Sequence, residues 1–249
     1  MAKKIAPVII VPARLASVRF PRKLLADADG KPLIIRTADR LREQVPEFDL
    51  YFAVDGTELL TVLEDAGYNT ILTEPSLTSG TDRIAHANQV LKRDFVINVQ
   101  ADEPLVTRSH ILSLQKSLSK SGVSISTLAS VFQSEEDFHD VNQVKVVIGD
   151  DGNALYFSRA PIPFSREEDI RWTSCSGGQR HAYKHMGLYG YRKEFLDDFL
   201  SSTEGDLEKL EKLEQLRALQ RGFEIAVEIV EGISIGVDVP EDLLKINFS

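Results

Sequence analysis

Residues 8–23, VIIVPARLASVRFPRK, decide how the fold is read: an apolar β-branched run passes straight into a loop that carries four cations. Val8, Ile9, Ile10 and Val11 show no polar alternation, which predicts a strand buried on both faces, as in a parallel sheet covered by helices. Pro12 stops the run, and Arg14, Arg19, Arg22 and Lys23 follow, spaced by Ser17 and Pro21, before a helical pattern opens at Pro32. A loop leaving the carboxyl end of a strand is where an open α/β sheet holds its ligand, and clustered donors there suit a polyphosphate. The competing reading is a surface loop that happens to be basic, since connecting loops are commonly polar.

Outward from this stretch, strand and helix signals alternate with short connections. Helices are expected at 32–44, 57–65, 82–91 and 108–119, and strands at 49–56, 69–72, 95–100 and 124–130. That alternation points to βαβ units and hence to an α/β fold, a three-layer α/β/α sandwich with a mostly parallel, Rossmann-like sheet. The pattern then loosens. Asp151-Gly152 reads as a hairpin turn, residues 165–182 as a polar exposed loop, and 185–192 as a returning strand. We therefore expect one domain over 1–249 with an inserted arm at about 154–192, which would pack on a second subunit to form a homodimer. Leu207, Leu210, Leu213, Leu216 and Leu219 are expected on one core-facing side of a single helix that stops at Gly222. A strand near 225–230 and a short helix from Pro240 close the chain.

The net charge of −9 over 249 residues argues against a nucleic-acid binder, so a polyanion has to be met by local cations. The single cysteine, Cys175, excludes an intramolecular disulfide and fits a reducing cytosol. The N-terminal apolar run is too brief for a signal segment or a membrane span, which predicts a soluble cytoplasmic protein with no membrane partner. Neither a G-x-x-x-x-G-K-[ST] loop nor a G-x-G-x-x-G turn is present, against a P-loop NTPase and a dehydrogenase.

PARLASVRFPRK resembles the PAR-x-x-S-x-R-x-P-x-K loop of the 3-deoxy-manno-octulosonate (Kdo) cytidylyltransferases. Six further segments follow in that family's order: SGTDR (79–83), VNVQ-like VINVQADEP (96–104), ALYFSRAPIP (154–163), HMGLYGYR (185–192), LEKLEQLRAL (210–219) and VDVPEDL (237–243). The resemblance implies a nucleotide-diphospho-sugar transferase fold and the reaction CTP + Kdo → CMP-Kdo + diphosphate, which activates Kdo for lipopolysaccharide synthesis. It implies that Lys23, Asp102 and Asp238 are catalytic, that Pro12, Ala13, Arg14, Ser17, Lys23, Asp55, Ser79 and Gly80 hold the nucleotide, and that Arg83, Gln100, Arg159, His185, Tyr189, Glu211 and Gln215 hold the eight-carbon sugar acid.

Asp102 and Asp238 are each expected at the carboxyl end of a strand, although either alone would serve as a turn or pre-helix residue. Two carboxylates facing a triphosphate would repel it, so Mg²⁺ is implied between them. Glu211 and Gln215, one helical turn apart, would also fit a solvated helix face. Departures from the family pattern stand out: Arg22 and Leu24 where the glycine and second proline of P-G-K-P are usual, Ala101 in place of the glycine of Q-G-D, and Val54 in place of the threonine of A-T-D. They leave open a modified sugar acid, such as 8-amino-Kdo or a sialic-type acid, and a non-catalytic nucleotide-binding protein.

Overall fold

The computed structural model describes residues 7–77, 79–120, 122–164, 166, 182–231 and 236–248. β1 (Val8–Ala13) is buried at every position. Its side chains alternate between two cores: Ile9 and Val11 enter one, Val8 and Ile10 the other. A strand that feeds two cores cannot spare a polar face, which is why the run carries none.

After β1 come α1 (Leu33–Gln44), β2 (Asp49–Val54), α2 (Thr57–Asp65), β3 (Asn69–Leu72), α3 (Gly80–Leu91), β4 (Phe95–Asn98) and α4 (Arg108–Leu118). β2 and β4 flank β1 in parallel, and β3 lies parallel outside β2. The second half adds β5 (Ile125–Ser130), α5 (Glu135–His139), β6 (Lys145–Ile148), β7 (Ala154–Ser158), β8 (Tyr183–Arg192), α6 (Lys193–Leu200), α7 (Asp206–Glu211), α8 (Gln215–Gln220), β9 (Ile225–Ile229) and α9 (Pro240–Leu243). The strand order is β3-β2-β1-β4-β8-β5-β9, and β6 pairs with β7 and β8 off this path. β8 runs antiparallel to both β4 and β5, while β5 and β9 are parallel. The sheet is thus mixed and mostly parallel, as expected. α1, α2 and α4 cover one face, and α3, α6 and α8 the other.

The hairpin at Asp151-Gly152 is present: Gly152, at φ +81°, turns the chain between β6 and β7. Apart from Arg166 and Ala182, the loop expected at 165–182, with Cys175 and His181, lies outside the described residues.

Two expectations need correction. The leucine-rich stretch is two short helices rather than one, broken at Lys212 in the left-handed conformation (φ 54°). Leu213 and Leu216 are buried, but Leu210 is 79% exposed. Leucines three apart fall about 60° short of a full turn at each step, so five of them cannot share a face. Asp238, for its part, follows no strand among the described residues. The Val237 N–H instead bonds the Asp102 carbonyl at 3.0 Å, and this backbone link brings the two aspartates side by side.

Candidate active site

A cavity of about 910 Å³ opens where β1 and β4 end. Pro12, Ala13, Arg14, Ser79, Gly80 and Arg83 line one part of it, and Gln100, His185, Tyr189, Gln215 and Asp238 are among those that line another. Ser17, Lys23, Asp55, Asp102, Arg159 and Glu211 are not in the lining; they stand behind it or beside it.

The basic loop is held from both ends. The Asp55 carboxylate accepts from the Leu15 N–H at 3.1 and 3.2 Å, so this aspartate fixes the loop's entry. Lys23 sits on a short 3₁₀ turn and donates from Nζ to Asp102 Oδ2, with Asp238 Oδ1 3.7 Å away. Arg19 reaches Asp238 Oδ1 at 2.8 Å and Asn142 Oδ1 at 3.4 Å. The two aspartates therefore converge on one ammonium, and protein cations fill this corner of the site. No group of three or more His, Cys, Asp or Glu suited to a metal occurs among the described residues. A pair of carboxylates that already shares a cation fits a Mg²⁺ ion, which commonly takes one or two carboxylates and completes its shell with water and substrate phosphate.

The departures at Arg22, Ala101 and Val54 have physical explanations. Arg22 adopts the left-handed conformation (φ 57°), where a glycine carries no Cβ penalty. It is fastened to Glu58 on α2 by a two-pronged ion pair, one prong 3.1 Å long. Ala101 is buried, and its carbonyl accepts from Thr37 Oγ1 at 2.9 Å, so its methyl group extends the core. Val54 likewise is fully buried, its carbonyl taken by the Thr73 hydroxyl at 2.8 Å.

The other wall is built from β6, β7, β8 and the break between α7 and α8. Glu211 does not face solvent: its carboxylate accepts from Ser158 Oγ at 2.6 Å and from the Arg159 N–H at 2.9 Å. The Arg159 side chain donates back to the Glu211 carbonyl at 2.8 Å and to the Val141 carbonyl at 3.1 Å. Lys145, fully buried, donates to the carbonyls of Asp140 and Arg159 at 2.7 and 2.9 Å. Burial lowers its pKa. His185 Nε2 lies 3.0 Å from Thr127 Oγ1, with the ring packed edge-on against Phe157. That burial holds the imidazole well below its ordinary pKa, and so neutral.

Two lining side chains carry buried amide atoms without a protein partner, Gln215 Nε2 and Gln143 Oε1. Unmatched polar atoms in a cavity wall call for a ligand or water. Arg83 differs from the other expected sugar contacts: its guanidinium bonds Thr73 Oγ1 and the Leu77 carbonyl beside Asp55 and Arg14, which sets it with the basic-loop wall.

Sequence reasoning missed Arg19 as a partner of Asp238, Lys145 as the buried brace of Arg159, and Glu214. The Glu214 carboxylate accepts from the Gly80 and Thr81 N–H groups, each at 3.1 Å, and from Thr81 Oγ1 at 2.7 Å. Glu208, Glu211 and Glu214 recur every three residues in a charged stretch, a pattern that looks like a solvated face. The one signal available was the bulk of charge, three glutamates, on helices that also had to bury leucine.

The family model described as cytidylyltransferase matches residues 8–229. The 3-deoxy-manno-octulosonate cytidylyltransferase of Pelobacter propionicus is 41% identical, over 95% of this chain and 94% of that protein. The protein of the same name from a Nitratiruptor species is 42% identical, over 97% and 98%. The solved structure of CMP:2-keto-3-deoxy-manno-octonic acid synthetase complexed with CTP superposes with a TM-score of 0.85 at 32% identity, covering 96% of this chain and 95% of the other. A Bacillus anthracis protein solved in complex with a sucrose shares the fold alone, at TM-score 0.64 and 11% identity.

Proposed function

The chain belongs to the cytidylyltransferase family, and from that premise we propose that it converts CTP and 3-deoxy-manno-octulosonate to CMP-Kdo and diphosphate. The observation that carries this reading is the convergence of Asp102 and Asp238 on Lys23 at the edge of a cavity with a basic loop on one side. In the reaction the anomeric hydroxyl of the sugar forms a bond to the α-phosphorus, the bond from that phosphorus to the diphosphate oxygen breaks, and the hydroxyl proton leaves. Such a transfer is won by positioning and charge neutralisation rather than by covalent help.

Arg14, Arg19 and Lys23 supply positive charge along the phosphate path, and the Asp55 brace keeps the loop in register with them. Asp102 and Asp238 would hold Mg²⁺. When bound, that ion would offset phosphate charge and ease deprotonation of the sugar hydroxyl. On the sugar side, Gln100, Tyr189 and Gln215 offer neutral hydrogen-bonding groups. Arg159 and Glu211 shape that wall through each other.

A homodimer through the arm goes with this reading, supported by Leu155 on β7 and Phe164 further along the chain, which are 65% and 87% exposed. A monomer in sedimentation at micromolar concentration would count against it. A cytoplasmic setting goes with the reading as well; no helix among the described residues is long and apolar enough to cross a membrane.

The deciding experiment is diphosphate release with Mg²⁺, crossing CTP, UTP, ATP and GTP against Kdo, 8-amino-Kdo and N-acetylneuraminate. Release confined to CTP with Kdo is expected. Release with 8-amino-Kdo or the sialic-type acid alone would reassign the sugar, and CTP binding with no release from any pair would overturn turnover on these substrates.

A further inference from the structure

The N-terminus of α3 is already filled. Helix N-termini in α/β nucleotide-binding proteins commonly receive phosphate, because their first N–H groups lack partners. Here Ser79 caps the Asp82 N–H at 2.9 Å, and both oxygens of the Glu214 carboxylate take the Gly80 and Thr81 N–H groups. The Thr81 hydroxyl completes the clasp. A full negative charge from within the protein thus stands where an incoming phosphate would otherwise bind.

Glu214 comes from the turn between α7 and α8, three residues after Glu211 and next to Gln215. What it grips belongs to the opposite wall: Ser79 and Gly80 line the cavity, and a Cβ added to Gly80 would stand 3.6 Å from the Pro12 ring at the start of the basic loop. A second link runs beside it, from Arg217 on α8 to Asp82 on α3 at 3.6 Å, with Arg217 also held two-pronged by Glu208 at 2.6 and 2.7 Å. The α8 helix is therefore tied to α3 by two charged contacts of opposite sense.

We infer that Glu214 is a positioning residue that couples the two substrate subsites, holding the Ser79–Thr81 turn of the nucleotide wall and the Gln215 turn of the sugar wall as one unit. The inference rests on the two-substrate reading above. If both turns move together, a ligand that orders one wall favours the other, and the effect is reciprocal. Glutamine at this position keeps the shape but offers one acceptor where two N–H groups and a hydroxyl now point, and it removes the charge.

The test compares wild type, Glu214→Gln and Thr81→Val, the last approaching the same contact from the α3 side. Binding of CMP is titrated by calorimetry with and without saturating Kdo, and initial rates are taken over a grid of CTP and Kdo. Wild type is expected to bind CMP at least about fivefold more tightly when Kdo is present, the lower end of ordinary coupling. Glu214→Gln should bring that factor close to one and raise both KM values about tenfold at nearly unchanged melting temperature, and Thr81→Val should do so to a smaller degree. Both variants keeping the wild-type coupling factor would overturn the inference, as would a wild type with no coupling. A variant with lower melting temperature and intact coupling would likewise reduce Glu214 to a structural role. Failure of wild type to release diphosphate from CTP and Kdo would instead strike the functional reading itself.

Discussion

The two walls of the cavity keep their charges differently. On the basic-loop wall the pairs Arg19–Asp238 and Arg22–Glu58 involve side chains that are about half exposed. On the opposite wall Lys145 has no exposure, Glu208 4% and Arg217 6%, and their partners are carbonyls or carboxylates already in place. Exposed pairs are worth little and exchange readily, whereas a buried pair that loses one member leaves an uncompensated charge. Arg19 is thus placed to trade Asp238 for a phosphate oxygen, whereas Lys23, with its side chain only 12% exposed, is held on Asp102. The sugar wall is set before any ligand arrives.

The largest effect should come from the corner where the walls meet. Asp102→Asn and Asp238→Asn are each expected to lower kcat by more than about a hundredfold, the scale of a lost electrostatic contact to the reacting groups, with the fold retained. Diphosphate release and a thermal melt check this together, and wild-type turnover in either variant would remove the carboxylate pair from the mechanism.

Next is the buried network. Arg217→Met leaves Glu208 buried without its partner and should cost about 3–5 kcal/mol in urea unfolding. A variant that unfolds like wild type would erase the contrast between the walls.

Acid should act on the same interior. Burial holds both His185 and His110 below the ordinary histidine pKa, so each is neutral in the fold. The unfolded chain then binds more protons once the pH drops below about 6.5, and stability falls from there toward the folded pKa values, by up to about 1.4 kcal/mol per pH unit for each group. Urea midpoints at pH 7, 6 and 5 should decline, and His185→Gln should flatten the slope. A wild-type midpoint that stays level over this range would contradict neutral burial.

Smallest is the exposed latch. Arg22→Gly relieves the left-handed backbone and deletes the pair with Glu58; the KM for CTP should move by less than about fivefold, in keeping with the low worth of surface pairs. A much larger change would show that the loop needs this anchor to meet its phosphates.

How much of this was legible in the sequence follows the same division. β1, its basic loop and the parallel βαβ frame were read from residues adjacent in the chain, because an apolar run without alternation has few other uses and a cation cluster after it is local. The family blocks carried the candidate residues onto their positions, and the cavity gathers most of them. The break at Lys212 was not legible: the leucine spacing does not encode a left-handed residue, and its cause is the docking of α7 and α8 on β7 and α3. Nor could the sequence say that Asp55 braces Leu15, that Arg83 supports the 73–77 turn, or that Glu211 and Glu214 are bound inside the protein.

By itself the sequence determined the fold class and the family and marked Asp102 and Asp238 as candidates, since strand burial, loop charge and motif order are properties of neighbouring residues. Only the tertiary structure decided which charges face the cavity and which are consumed within it. A carboxylate's role depends on the donors brought to it from residues 53 to 134 positions away, as for Glu211 with Ser158 and Glu214 with Gly80. Those donors exist as partners only once the sheet and its helices have packed.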